Sequence, residues 1–308
     1  MKKGTRVIRI ANAPVSYGVF ELARPDLVAL PQGEELARWV SDAGYQGIDL
    51  GPVGLLGRGA DLTDRLDRHG LELAGGWADL PFAADEEQFA AALAALDDIL
   101  DVFVSAAEND QAMAPLPTLA DSGSAKRKAK PGGAPELTLR GDAWARFADR
   151  VNAAVSRVRE RGLEPTFHHH ACTYVETPEE VDALLASTDV GLTFDSGHLL
   201  IGGGDPLADF RRWRDRINHL HLKDARTGIL HEALQDDDPM RSVWEKRVFV
   251  PLGDGDLAVT ELLDEIIASA YQGWLIVEQD VVPRSAADVE RAKADQVANR
   301  EALRRWFA

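Results

Sequence analysis

The residues best equipped for chemistry crowd into one stretch of the chain. Six of the eight histidines fall between positions 168 and 221. They come in spaced groups: His168-His169-His170, then Phe194-Asp195-Ser196-Gly197-His198, then His219-Leu220-His221-Leu222-Lys223-Asp224. A further group, Val277-Glu278-Gln279-Asp280, lies near the C-terminus. Side chains alternate along a strand, so His168 and His170 share one face while His169 takes the other. His219 and His221 share a face by the same rule. One imidazole from the first group, Asp195, one imidazole from the third group and Glu278 would make a mixed nitrogen–oxygen ligand set. Such a set suits Mn, Co, Fe or Zn. Carboxylate ligands with room left for substrate are a catalytic pattern rather than a closed structural one. Each residue also has an ordinary reading. Asp195 and Glu278 can cap the helices that follow them. His219 lies one layer deeper and can fill a barrel interior. His69 and His231 read as packed or surface groups. The metal reading rests on coincidence: four adjacent strands each end in a ligand-type residue.

Those residues need strands to carry them. Short apolar runs predict strands over 7–12, 46–50, 71–77, 99–106, 163–170, 191–195, 217–223 and 273–278. Amphipathic segments between them predict helices over 33–44, 61–69, 85–98, 143–161, 177–186, 206–214, 259–270 and 286–307. Thr177-Pro178-Glu179-Glu180 supplies an N-cap, a first-position proline and a capping glutamate for one of them. Strands separated by helices imply parallel pairing with right-handed crossovers. Eight such units, the seventh with a weak helix, are what a closed (β/α)8 TIM barrel requires, and there the C-terminal strand ends build the active site. An open doubly wound sheet is the alternative. It is weakened because no Gly-x-Gly-x-x-Gly follows the first strand.

The 308 residues are expected to form one barrel domain with two long loops on that face, at about 115–141 and 225–250. The first loop carries the basic run Lys126-Arg127-Lys128, read either as a solvated tip or as a lid over an oxygen-rich substrate. A net charge of −17 repels nucleic acid and anionic membrane surfaces, so neither is an expected partner. The single cysteine, Cys172, excludes a disulfide framework and fits a reducing compartment. No stretch approaches the ~20 apolar residues of a membrane span. The start of the chain reads as a strand rather than a signal peptide, so a soluble cytoplasmic protein is expected.

Several of these motifs resemble a known family. Asn12-Ala13-Pro14-Val15-Ser16-Tyr17-Gly18, the three histidine-bearing groups, Gly253-Asp254-Gly255 and Gly273-Trp274-Leu275-Ile276-Val277-Glu278 are similar to those of the sugar isomerase/epimerase barrels related to xylose isomerase. Within that group they most resemble the inosose (2-keto-myo-inositol) dehydratases. The likeness spans nearly the whole chain and is poor in the two long loops. It implies one divalent metal ion, Mn or Co first, with Zn, Fe or Mg as the other members of the set. It also implies a small keto-sugar or polyol substrate and a homo-oligomer, dimer or tetramer.

In the wider family the metal is held by a Glu, an Asp, a His and a Glu from strands five to eight. Asp195, His221 and Glu278 fall on three of these positions, and His168 stands where the first glutamate belongs. The inosose dehydratases carry a similar triple histidine. The resemblance also places His170 and His198 at substrate-contacting positions and Lys223 within reach of the substrate. Asn12, Asp49 and Trp77, at the ends of strands one to three, are further candidates for the pocket lining.

The missing glutamate has a chemical consequence. Two-sided proton transfer uses two glutamates, whereas here only Glu278 remains as an evident carboxylate base. One base with a separate acid (Lys223, His170 or His198) suits elimination of water better than epimerisation. A keto-sugar isomerase or 3-epimerase is the main alternative, and a lyase acting on an oxidised glycoside is another. A phosphodiester nuclease would need more ligands and a basic groove, against the charge. A non-catalytic sugar-binding barrel would hold no metal.

Overall fold

The structure, a computed structural model, describes residues 8–108 and 113–307. Residues 1–7, including the N-terminal lysines and the first residue of the expected first strand, lie outside it. In chain order the strands are β1 (Ile8–Asn12), β2 (Gly47–Ile48), β3 (Glu72–Leu73), β4 (Gly75–Leu80), β5 (Leu116–Asp121), β6 (Thr166–His168), β7 (Gly191–Asp195), β8 (Ile217–Leu222), β9 (Asp224–Ala225), β10 (Phe249–Val250) and β11 (Gly273–Val277). Nine of them form one sheet in the order β3-β2-β1-β11-β8-β7-β6-β5-β4, and every pair is parallel. The two ends of that order, β3 and β4, are separated only by Ala74. Its N–H donates to Ile48 O, and its carbonyl accepts from Leu116 N–H. The sheet ends are therefore one kinked strand, and eight parallel strands close into the expected barrel. Helices occupy the crossovers, and their buried faces contribute Leu, Val, Phe and Trp side chains to the core that includes the strands. The helix Pro178–Ser187 starts with the predicted capping box, Thr177 accepting from Glu180 N–H while the Glu180 side chain returns to Thr177 N–H. No helix of the described residues is long and apolar enough to cross a membrane.

The fourth unit differs from the sequence reading. Residues 99–106 are not a strand but the second half of the 22-residue helix Glu86–Ala107. Their apolar run belongs to one helical stripe: Phe89, Leu96, Leu100 and Phe103 are buried at spacings of seven, four and three. Asp85 caps the start by accepting from Gln88 N–H, and no Gly or Pro interrupts the helix afterwards. The fourth strand is β5, inside the segment read as a loop. Pro115 and Pro117 obscured it, yet it pairs with β4 over six residues. The second long segment, 225–250, is also structured. It holds the helices Thr227–Ala233 and Pro239–Glu245, tied by the antiparallel pairing of β9 with β10.

The basic run 126–128 is solvated only in part. Lys126 and Lys128 are exposed, but Arg127 is fully buried. Its guanidinium pairs with Glu180, lies 3.9 Å from Glu176, and sits 5.1 Å from the Tyr174 ring centroid. Asp121 Oδ2 accepts from Tyr174 N–H at 2.9 Å, and Gly132 N–H donates to Glu176 Oε1 at 2.7 Å. The segment is a brace against the loop that follows β6. Burial pushes the Glu176 carboxyl up to about 7 even with Arg127 beside it. Arg127→Ala leaves two buried carboxyls without their cation and is expected to cost about 3–5 kcal/mol of stability, measured by denaturant unfolding.

Candidate metal centre and active site

Four strand ends converge at one end of the barrel. His168 is the last residue of β6, and its Nε2 lies 3.2 Å from His221 Nδ1 on β8. Asp195 ends β7 and does two things. Its Oδ1 accepts from His198 N–H at 2.8 Å, starting the helix Ser196–Ile201. Its Oδ2 turns toward His168 Nε2 (3.3 Å) and His221 Nδ1 (3.6 Å). Glu278 directly follows β11, with Oε2 3.1 Å from His221 Nδ1. The ligand atoms of His168, Asp195, His221 and Glu278 all lie within 4.8 Å of one another, and all four residues are buried. His169 faces the other way, as alternation requires, and its Nε2 accepts from Asp195 N–H at 3.2 Å.

The donor set fits a divalent ion. Two ring nitrogens that cannot both donate to each other face one point with two carboxylate oxygens, and Asp195 Oδ2 accepts no hydrogen bond. Buried polar atoms of this kind call for a missing partner. Without an ion the positive charge must come from elsewhere. Burial alone would depress His221, but the charge of Glu278, with Asp195 and Asp49, lifts it to about 10. Lys223 Nζ lies 3.2 Å from Asp195, 2.9 Å from Glu278 and 2.9 Å from Asp280. Burial opposes its charge too, yet those carboxylates hold its pKa above the ordinary lysine value. Burial likewise works against ionising Glu278, but His221 and Lys223 hold it well below the usual carboxylate range.

The site opens into a cavity of about 480 Å³ lined by His168, His170, His221, Lys223 and Glu278, with Asp49 and Trp77 on its wall. Cavities of this size take small-molecule ligands. Trp77 is 38% exposed, with its ring edge-on to His168 and His170 at centroid distances of 5.6 and 5.0 Å. His170 Nδ1 bonds Ala171 O at 2.8 Å, so it carries the proton and Nε2 is left as an acceptor. Burial, then the charges of His168 and Lys223, keep His170 well below its usual pKa. His170 thus presents Nε2 as an acceptor.

Two candidates sit differently from expectation. The Asn12 amide donates to Val277 O at 2.8 Å and Gln296 Oε1 at 2.9 Å and does not line the cavity; its neighbours Ala13 and Pro14 do. His198 is buried behind the wall. Its Nδ1 accepts from Ala171 N–H at 3.4 Å and its Nε2 points to Asp280 Oδ2 at 3.7 Å. Sequence reasoning gave no role to Asp280 or Trp244. Asp280 lines the cavity, holds Lys223, and accepts from Trp244 Nε1–H at 3.2 Å. Its signal was visible, since Glu278 and Asp280 are two residues apart like the paired histidines. Trp244 comes from the segment read as loop and carried none.

A family model described as a xylose isomerase-like TIM barrel matches residues 37–305. The chain belongs to the xylose isomerase-like TIM barrel family. Among its relatives, the rhizopine catabolism protein MocC of Rhizobium meliloti is 33% identical over 299 residues, covering 93% of this chain and 86% of that protein. The inosose dehydratase of Geobacillus kaustophilus is 29% identical over 300 residues, covering 95% and 94%. The IOLI protein, solved with a binding zinc atom, superposes with a TM-score of 0.67 at 12% identity, covering 97% of this chain and 99% of its own. At that identity the likeness speaks for the xylose isomerase-like fold alone.

Proposed function

We propose that the protein is a metal-dependent dehydratase that removes water from a cyclic keto-polyol, with 2-keto-myo-inositol as the leading substrate. The observation that carries this reading is the composition of the four-residue centre: beside two histidines, Glu278 is its one carboxylate that lines the cavity, and the fixed cation Lys223 stands 2.9 Å from it. Similarity to inosose dehydratases along nearly the full chain supports it. His168, Asp195, His221 and Glu278 would hold the ion, and Mn or Co suits this ligand set. When bound, the metal supplies Lewis acidity that polarises the ketone and acidifies the neighbouring C–H.

The side chains supply the remaining chemistry. Glu278, held ionised, takes the proton from the α carbon as the C–H bond breaks. The new C=C bond forms as the β C–O bond breaks. Lys223 donates to the departing oxygen, which leaves as water. His170 accepts from a ring hydroxyl, and the exposed face of Trp77 packs against the C–H face of the ring. The test is direct: Mn- or Co-loaded protein mixed with 2-keto-myo-inositol is expected to give a product lighter by one water, with new ultraviolet absorbance. An isomer of unchanged mass would favour the epimerase reading instead.

A further inference from the structure

Beneath the four-residue centre lies a second buried group that the reaction outlined above does not use. His221 turns Nδ1 toward Glu278, His168 and Asp195, so its Nε2 faces the opposite way. There it meets Asp49 Oδ2 at 3.9 Å, with His219 close by. Asp49 stands one residue beyond β2, is 6% exposed, and its Oδ1 has no hydrogen-bond partner. His221 Nε2 has none either, nor does either ring nitrogen of His219. The space in front of these atoms is kept open by a glycine. A Cβ on Gly75 would lie 3.0 Å from His219 Nε2 and 3.1 Å from Asp49 Oδ1. The structure thus sets a carboxylate behind the ligand histidine, with room for the pair to close.

We propose that Asp49 is a positioning residue for His221: it accepts the Nε2–H, fixes the tautomer that presents Nδ1 to the metal, and makes that nitrogen a better donor. Metal-bound histidines commonly hand their second N–H to a carboxylate, and removing that partner typically weakens metal affinity or activity about 10–100-fold. This gives Asp49, which also borders the cavity, a part in the metal centre, and it rests on the metal reading proposed above. Gly75 belongs to the same device, because any side chain there would crowd Asp49 and His219.

The experiment is a titration of metal-free protein with Mn²⁺ alone, by calorimetry or chelator competition, on wild type, Asp49→Ala and Asp49→Asn. Asp49→Ala is expected to bind Mn²⁺ about 10–100-fold more weakly. Asp49→Asn keeps an acceptor oxygen and the volume, so it is expected to recover part of that loss and to fold if the alanine variant does not. Unchanged Mn²⁺ affinity in both variants, or a loss in Asp49→Asn as deep as in Asp49→Ala, overturns the assignment alone. A wild-type chain that binds no Mn²⁺ overturns the metal reading and this assignment with it.

Discussion

Glu278→Gln is expected to lower turnover by about 10²–10⁴-fold, the range of a lost general base. The amide keeps the shape of the side chain but can neither take the α proton nor neutralise Lys223 and His221, which stand 2.9 and 3.1 Å from Oε2. Mn²⁺ affinity should fall as well, because an amide oxygen is a weaker ligand than a carboxylate. The two losses separate by measuring kcat at saturating metal: the catalytic deficit remains when the binding deficit has been overcome. Full turnover with intact metal content would remove Glu278 from the role of base.

Lys223→Met is the second large effect. The amine is buried and shared by Asp195, Glu278 and Asp280, so its loss leaves three buried carboxylates without that cation. Removing one partner of a buried ion pair costs about 3–5 kcal/mol, and more than one pair is broken here. The metal-free variant is therefore expected to unfold well below the wild type. Added Mn²⁺ should recover part of the difference, since a divalent cation neutralises the same oxygens. Turnover should stay depressed at saturating metal, because the donor to the departing hydroxyl is gone. Wild-type stability without metal would show that the carboxylates do not depend on this cation.

The centre was legible because strand alternation and chain spacing both act on it directly. His168 and Asp195 end barrel strands, His221 is the next-to-last residue of one and Glu278 directly follows one, and a two-residue period decides which side chain points inward. The same rule separated His169 from its neighbours. Reading failed where a local pattern served two structures. The apolar run at 99–106 satisfies a buried strand and a helical stripe alike, and only the unbroken chain back to Asp85 decides for the helix. Proline and glycine around β5 hid a strand that its pairing with β4 makes plain. Arg127 looked like part of a solvated basic run because nothing in the sequence announces Glu180, 53 residues away, as its partner. Asn12 ends the first strand as expected, but the partner that draws its amide away, Gln296, lies on the last helix. Asp280 and Trp244 meet only through the folded segment after β8. Long-range pairings of this kind have no local signature, so the brace and the back wall of the cavity emerge only from the fold.

The most direct test follows the substrate with and without metal. Protein stripped by chelator and then reloaded with Mn²⁺ or Co²⁺ is incubated with 2-keto-myo-inositol, and the products are read by mass. Loss of one water is expected only in the reloaded sample, and none in reloaded His221→Ala. Water loss by the stripped protein, or an isomer of unchanged mass from the reloaded one, would contradict it.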